Sequence, residues 1–322
     1  MRYLVVGGAG FIGAHLCERL LADGHEVIAL DDLSAGSPAN LSRAEEHPGF
    51  RFVRGDARDP GLVSAEVVRC DGVFHLAAVV GVRRVVEQTV DTLLTNGPAA
   101  ATVLLAAASA NKPVLLTSSS EVYGVSTKVP FREDDAPVFG APSCSRWAYG
   151  AGKLLDEALA LGLWRERGTP VVVARLFNTV GPRQSGAHGM VLPRFVAQAR
   201  AGAPLTVYGD GSQTRCFCHV RDVVDALVGL LCSERARGGV FNVGDDVEVS
   251  IRALAERVVA QAGSASRIES VPFEQAFPSG FAETSRRVPC LDLIRDAIGW
   301  RPRRGLARAI DDLLADPPAL QP

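Results

Sequence analysis

The chain lacks an excess of either charge. Its 34 Lys and Arg residues stand against 36 Asp and Glu, a formal net charge of −2 over 322 residues. Without a basic surplus to neutralise phosphates in bulk, nucleic acid is not expected as a partner. Paired cysteine motifs are also lacking. Seven cysteines, an odd number, include no C-x-x-C, which argues against a disulfide framework or structural zinc and predicts a reducing, cytoplasmic setting. Cys216 and Cys218 stand two apart in a predicted strand, on one face, and that spacing alone makes no metal site, so no metal is expected. No apolar run reaches the roughly 20 residues of a membrane helix. The longest candidate, rich in Ala and Leu, covers residues 98–108, so no membrane partner is expected either. The apolar start after Met1 and Arg2 is better explained by the glycines behind it than as a signal peptide. Internal repeats are absent.

What is present is the composition of a folded chain, 47% hydrophobic and 22% charged. The length allows two domains or one large α/β unit. Short apolar runs at Tyr3–Val6, Val27–Leu30, Arg51–Val53, Val73–Leu76, Val114–Thr117 and Val171–Leu176 alternate with helical patterns. The helices are expected over Phe11–Ala22, around Ala99–Ala110, and over Ala148–Arg167. Such alternation predicts an α/β fold, a doubly wound parallel sheet covered on both faces. After Gly181-Pro182 the texture changes: glycine and proline come more often, strands shorten, and charged helices appear over Ser250–Ala262, Cys290–Ile298 and Leu306–Leu314. The chain therefore reads as a cofactor-binding domain over 1–181 and a smaller substrate domain over 182–322. A strand at Val240–Val243 is a candidate to rejoin the main sheet, and the Pro317-Pro318 tail is expected to be loose.

Gly7-Gly8-Ala9-Gly10-Phe11-Ile12-Gly13 places glycines at 7, 10 and 13 between the first strand and the first helix. A dinucleotide pyrophosphate needs bare backbone N–H groups at a helix N-terminus, where a Cβ would block its approach. Asp31, followed by Asp32, ends the second strand. A carboxylate there accepts the hydroxyls of an adenosine ribose and repels a 2′-phosphate, which favours NAD over NADP. Arg43 and Arg54 are the residues that would accommodate such a phosphate instead. Asp56 follows the third strand as a candidate for the adenine edge, or as an ordinary strand-end turn.

Two further segments carry chemistry. Tyr149-Gly-Ala-Gly-Lys153 opens a helix with both side chains on one face. A tyrosine is a poor base near neutrality, and a neighbouring ammonium together with a positively charged nicotinamide favours its phenolate. Gly150 and Gly152 weaken the helix and imply that something approaches it closely. Thr117-Ser-Ser-Ser-Glu121-Val-Tyr-Gly124 follows a strand at the sheet end where ligands bind. There Ser119 is placed to hydrogen-bond a reacting hydroxyl beside an ionisable Glu121.

With these pieces, the chain resembles an extended short-chain dehydrogenase/reductase of the nucleotide-sugar epimerase/dehydratase branch, closest to the UDP-glucuronate decarboxylase type. The resemblance runs through GGAGFIG (7–13), Asp31, His75-Leu-Ala-Ala78, TSSSEVYG (117–124), YGAGK (149–153), ARLFNTVGPR (174–183), LTVYGDGSQTRCF (205–217) and RRVP (286–289). It implies that Tyr149 takes the proton of a sugar 4-hydroxyl while NAD takes hydrogen from C4. It further implies that Lys153 holds the nicotinamide ribose and that Ser119 bonds the same sugar oxygen. The NAD contacts it implies are Gly7, Gly10, Phe11, Ile12, Gly13, Asp31, Asp32, Asp56, Ala57, Leu76, Ala77, Ala78, Tyr149 and Lys153. On the substrate side it implies Asn178, Val191, Val207, Tyr208 and Arg215, with Arg215 on the diphosphate. Ser120, Glu121 and Arg287 join the catalytic set, Arg287 against the substrate carboxylate. Glu121 favours a decarboxylase, making UDP-xylose or its 4-keto precursor from UDP-glucuronate. A 4-epimerase of UDP-glucose or UDP-glucuronate is the alternative. A 4,6-dehydratase is weakened by Ser120, where that type shows Asp, and a binding-only sensor by the presence of both Tyr149 and Lys153. Gly97-Pro98 interrupts a segment that the resemblance makes helical and part of a homodimer bundle, and Cys290 replaces an Asp common among relatives.

Overall fold

In this computed structural model, residues 1–186, 190–272, 275 and 284–316 are described, with the side chains of 82 and 83 left aside. The expected loose tail at 317–318 lies outside them. The chain opens with β1 (Arg2–Val6), α1 (Phe11–Ala22), β2 (Glu26–Asp31), α2 (Ser42–Glu45), β3 (Phe50–Arg54) and α3 (Pro60–Val68). Then follow β4 (Gly72–His75), α4 (Val82–Glu87), α5 (Thr89–Ser109), β5 (Val114–Ser119), α6 (Ala148–Arg167) and β6 (Val171–Leu176). The remainder carries β7 (Thr179–Val180), α7 (Val191–Arg200), β8 (Leu205–Tyr208), β9 (Thr214–Cys216), β10 (Cys218–His219) and α8 (Val220–Cys232). It ends with β11 (Val240–Val243), β12 (Glu248–Ser250), α9 (Ile251–Ala262), β13 (Ile268–Val271) and the helices Asp292–Ile298 and Leu306–Ala315.

Seven parallel strands form the main sheet in the order β11-β6-β5-β4-β1-β2-β3. Alternate residues of each strand face opposite sides. Val5, Ala29, Phe74, Leu115 and Val172 pack under α1, α8 and the helix Asp292–Ile298 through Leu16, Leu20, Leu227, Leu230 and Ile294. Leu4, Val6, Val73, Leu116 and Val173 pack under α3, α5 and α6 through Val63, Val67, Val103, Leu104 and Leu163. A separate core joins α7, α9, β8 and the helix Leu306–Ala315, with Phe195, Leu205, Leu254 and Ile310 wholly buried. The chain beyond residue 181 is thus shared in space. Its strand β11 pairs with β6 from Val240↔Val173 to Val243↔Leu176 and closes one edge of the main sheet.

Strand order reverses between β1 and β4, and that is where a doubly wound sheet opens a crevice beyond its carboxyl ends. The N–H groups of Leu76 and Ala77 both donate to Val6 O, holding the loops after β1 and β4 side by side.

Helix α5 begins ten residues before the Ala99 expected from its apolar pattern, and it runs through Pro98. Its first half turns Thr92 and Asn96 into the interior, so the buried face there is polar and no apolar periodicity marks it. Among the described residues it is the one helix long and apolar enough by length and composition to cross a membrane. Here it lies against α3 and α6.

Candidate active site

The glycine loop is built by close backbone approach. Gly7 has φ +85°, and a Cβ on it would stand 2.6 Å from Ala77 N. A Cβ on Gly13 would stand 2.1 Å from Gly7 O, so the first turn of α1 packs on the loop without a side chain between. Gly10 caps α1 with its bare backbone, only Gly7 O lying within 4 Å of a Cβ placed there. Asp31 closes the loop by accepting from Ala9 N at 3.0 Å and Leu33 N at 2.8 Å. Burial raises its carboxyl above the ordinary value. Gly7, Gly10, Asp31, Asp32, Asp56, Ala57, Leu76, Ala77 and Ala78 line one cleft. Phe11 and Ile12 stand in the opening turn of α1, Phe11 edge-on to His15 and Ile12 on the core beneath. Asp56 is held at the rim by Arg58, whose Nη2 lies 2.6 Å from its Oδ2. Asn96 was not legible in the sequence. Its amide accepts from Val79 N at 2.7 Å and donates to Val79 O at 3.0 Å, pinning the loop after β4.

The catalytic candidates meet at the carboxyl end of β5. Ser119 caps the short turn Ser120–Tyr123, accepting from Glu121 N at 3.2 Å, and its side chain favours the ionised phenol of Tyr149. Ser120 is buried in the same turn. The close neighbour implied by Gly150 is this turn, since a Cβ on Gly150 would stand 2.5 Å from Glu121 O. Gly152 faces Leu93 of α5. Lys153 is buried, donating to Thr117 O at 3.2 Å and lying 3.4 Å from Asp156 Oδ2. Burial lowers its ammonium below the usual range. The phenol of Tyr149 is shifted against expectation. Burial and the charges of Glu121 and Asp156 push it up, the Ser119 side chain opposing them. Lys153 is paired with Asp156, and with its phenol pushed up Tyr149 holds its proton at neutral pH.

Glu121 is clasped by two guanidinium groups. Arg287 Nη1 bonds Oε1, and Arg146 places Nη1 2.6 Å from Oε2 and Nη2 3.0 Å from Oε1. Although burial raises the carboxyl, the charges of Arg287 and Arg146 prevail and hold it near 2. The segment bearing Arg287 is laced in place at both ends. Thr214 N donates to Ser285 O, Phe131 N to Val288 O, and Cys290 N to Phe131 O. Asn242 Nδ2 donates to Phe131 O and Cys290 O, and its Oδ1 accepts from Tyr123 Oη at 2.7 Å. Arg146, Asn242 and Tyr123 were not read as site residues, since an Arg two positions from any helix start carries no sequence signature.

The substrate candidates fall in two groups. Asn178 follows β6, and its carbonyl accepts from Cys218 N. Val191 opens α7, Tyr208 ends β8 beneath the Arg194 guanidinium at 4.3 Å, and Arg215 lies on β9 opposite Val249. Arg215 Nη1 donates to Thr214 O at 2.7 Å. Val207 can meet a ligand through its backbone alone. Strand alternation turns it with Leu205 into the C-terminal core, wholly buried, so its side chain lines no site.

The sequence profile described as the NAD dependent epimerase/dehydratase family matches residues 3–244. The chain belongs to this family. It is 39% identical, over 94% of its length and 92% of the relative, to the UDP-N-acetyl-alpha-D-glucosaminuronate decarboxylase of Bacillus cytotoxicus. UDP-glucuronic acid decarboxylase 1 of Arabidopsis thaliana is 35% identical over 97% of the chain and 69% of the relative. A solved UDP-glucuronic acid 4-epimerase from Bacillus cereus, in complex with UDP-glucuronic acid and NAD, superposes with TM-score 0.87 at 26% identity over 98% of each chain.

This family member is an NAD-dependent enzyme, and its glycine cradle fits the cofactor. The positions where a Cβ would intrude, the exposed N-terminus of α1 and the Asp31 carboxylate are the backbone and charge a pyrophosphate and ribose require. Two histidines around the cradle are pushed down to about 3, both mainly by burial, His15 also by Arg183 and His75 by Lys153. The unfolded chain protonates each near its ordinary value of about 6.5, before the folded chain does. Their contribution is therefore complete above that pH. It falls toward pH 3 by up to about 1.4 kcal/mol per pH unit for each group. Thermal melts from pH 7 to pH 4 should show this decline, and His75→Leu should flatten it; an equally steep decline in the variant would remove His75 from the account.

Proposed function

We propose that this enzyme oxidises C4 of a UDP-linked uronic acid and releases the C6 carboxylate as carbon dioxide. On UDP-glucuronate the product is a UDP-4-keto-pentose, UDP-xylose, or both. The observation that carries this reading is the recessed pairing of Arg287 with Glu121, on the turn that packs against Gly150 beside Tyr149. A guanidinium there supplies the counter-charge and fork geometry that a uronate carboxylate needs and a neutral hexose does not. Two decarboxylases among the relatives favour the same reading, and their names differ at C2 of the sugar, acetamido in one and hydroxyl in the other.

The chemistry follows from the residues. NAD, when bound, accepts the hydrogen removed from C4, so that the alcohol becomes a ketone. Tyr149 receives the proton of the 4-hydroxyl while Ser119 bonds the same oxygen and Lys153 holds the cofactor ribose. The ketone is β to the C6 carboxylate, and the electron pair left by departing carbon dioxide spreads onto the ketone oxygen. A proton from water then joins C5 to give the 4-keto-pentose, and UDP-xylose forms where the hydrogen taken from C4 is returned there and Tyr149 gives its proton back to the oxygen. Glu121, held as a carboxylate near pKa 2, is no proton donor at neutral pH and serves to hold Arg287. Asn178, Tyr208 and Arg215 are assigned to the nucleotide end.

A second reading, 4-epimerisation, is favoured by the likeness to the Bacillus cereus epimerase. The two separate on carbon count. Uniformly ¹³C-labelled UDP-glucuronate with NAD should yield labelled carbon dioxide and a five-carbon UDP-sugar by NMR. Recovery of UDP-galacturonate with six labelled carbons would reject decarboxylation. The 2-acetamido uronate, run in parallel, tests the C2 substituent.

The helices α5 and α6 also present Val90, Leu93, Leu94 and Leu155 to solvent. This apolar face supports a homodimer, expected to sediment at twice the 34.1 kDa chain mass; a monomer at micromolar concentration would count against it. The odd cysteine count without a C-x-x-C pair fits a reducing, cytoplasmic setting.

A further inference from the structure

We propose that Arg146 is a positioning residue: it retains the Glu121 carboxylate so that Arg287 is released to the carboxylate of the substrate. The inference rests on the decarboxylase reading and assigns a residue that the reaction itself does not call for.

Arg146 stands three positions before Tyr149, on the turn Ser145–Trp147 that leads into α6, with its guanidinium 5.7 Å from the Trp147 ring centre. Its grip on Glu121 is a fork, one nitrogen to each carboxylate oxygen. Of the two Glu121 oxygens Arg287 bonds Oε1, and its Nη2 contacts Thr284 Oγ1 at 3.4 Å. Oε1 is therefore shared between two cations, whereas Oε2 is given to Arg146 alone among the described residues. This asymmetry decides which arginine Glu121 can lose and still be paired. If Arg287 turns away, Glu121 keeps a bidentate, charge-assisted partner. If Arg146 is removed, any departure of Arg287 strands a carboxylate whose exposure is 14%, and Glu121 competes with the substrate for Arg287. Arg146 thus lowers the hold of Glu121 on Arg287 without touching the sugar.

The test is calorimetric binding of UDP-glucuronate and UDP-glucose to the NAD-loaded full chain. Arg146→Gln should weaken UDP-glucuronate about 10- to 100-fold and leave UDP-glucose within about twofold. Arg146→Gln combined with Glu121→Gln should return UDP-glucuronate affinity to that of Glu121→Gln alone, because no carboxylate then competes for Arg287. Arg146→Lys, which keeps the charge and loses the fork, should fall between, and it carries the same comparison if Arg146→Gln does not fold. Equal losses for both ligands, unchanged uronate affinity, or no recovery in the double variant would overturn the proposal. If the unaltered enzyme itself binds UDP-glucuronate no better than UDP-glucose and releases no carbon dioxide, the decarboxylase reading has failed instead.

Discussion

Tyr149→Phe is expected to lower turnover about 1000-fold while UDP-sugar affinity stays within about twofold. The substitution keeps the ring and removes one oxygen, the atom assigned to the proton transfer. Burial and the nearby charges of Glu121 and Asp156 favour the protonated phenol, so these protein groups alone make no ready phenolate. The base becomes effective only as the site fills, when positive charge enters beside it and the sugar hydroxyl joins Ser119. A thousandfold loss corresponds to about 4 kcal/mol of barrier, within the range of a positioned acid–base group. Stopped-flow absorbance of the reduced cofactor, read beside calorimetric binding of the UDP-sugar, separates chemistry from binding. Turnover retained within tenfold would remove Tyr149 from the reaction.

Gly13→Ala is expected to weaken NAD at least about 100-fold and to destabilise the fold by about 1–3 kcal/mol. The added Cβ would lie 2.1 Å from Gly7 O, with Gly7 C and Gly8 Cα at 2.9 Å. All three are backbone atoms, so no side chain can swing aside, and relief must come from moving the loop or lifting α1. Either movement spoils the cradle. Gly24→Ala is the control: its φ of +81° imposes strain of about 1 kcal/mol, but nothing lies within 4 Å of the new atom. That variant should lose stability and keep NAD affinity, as read by thermal melts and cofactor titration. Equal NAD affinity in Gly13→Ala and the parent would show that close packing here is not what the cofactor needs.

Much of the fold was legible because local pattern and tertiary role agreed. Helices Phe11–Ala22 and Ala148–Arg167 and strands Val171–Leu176 and Val240–Val243 have the limits their apolar periodicity sets. The first half of α5 was illegible for the opposite reason. Its buried positions Thr92 and Asn96 are polar, and Asn96 is buried to hold Val79, a partner 17 residues away. The burial of the Val207 side chain was not legible, since motif position says nothing about which side of a strand faces a core.

The sequence by itself determined the sheet, the glycine cradle, the Asp31 carboxylate and the Tyr149–Lys153 pair, because each depends on neighbours a few residues apart or on a backbone only glycine allows. Tertiary structure alone decided the electrostatics of the site. Glu121 meets Arg287 across 166 positions and Arg146 across 25, and Asp156 rather than Tyr149 takes the charge of Lys153. Those pairings set which groups are charged, since Coulomb energies and burial depend on distance in space, which chain order does not contain.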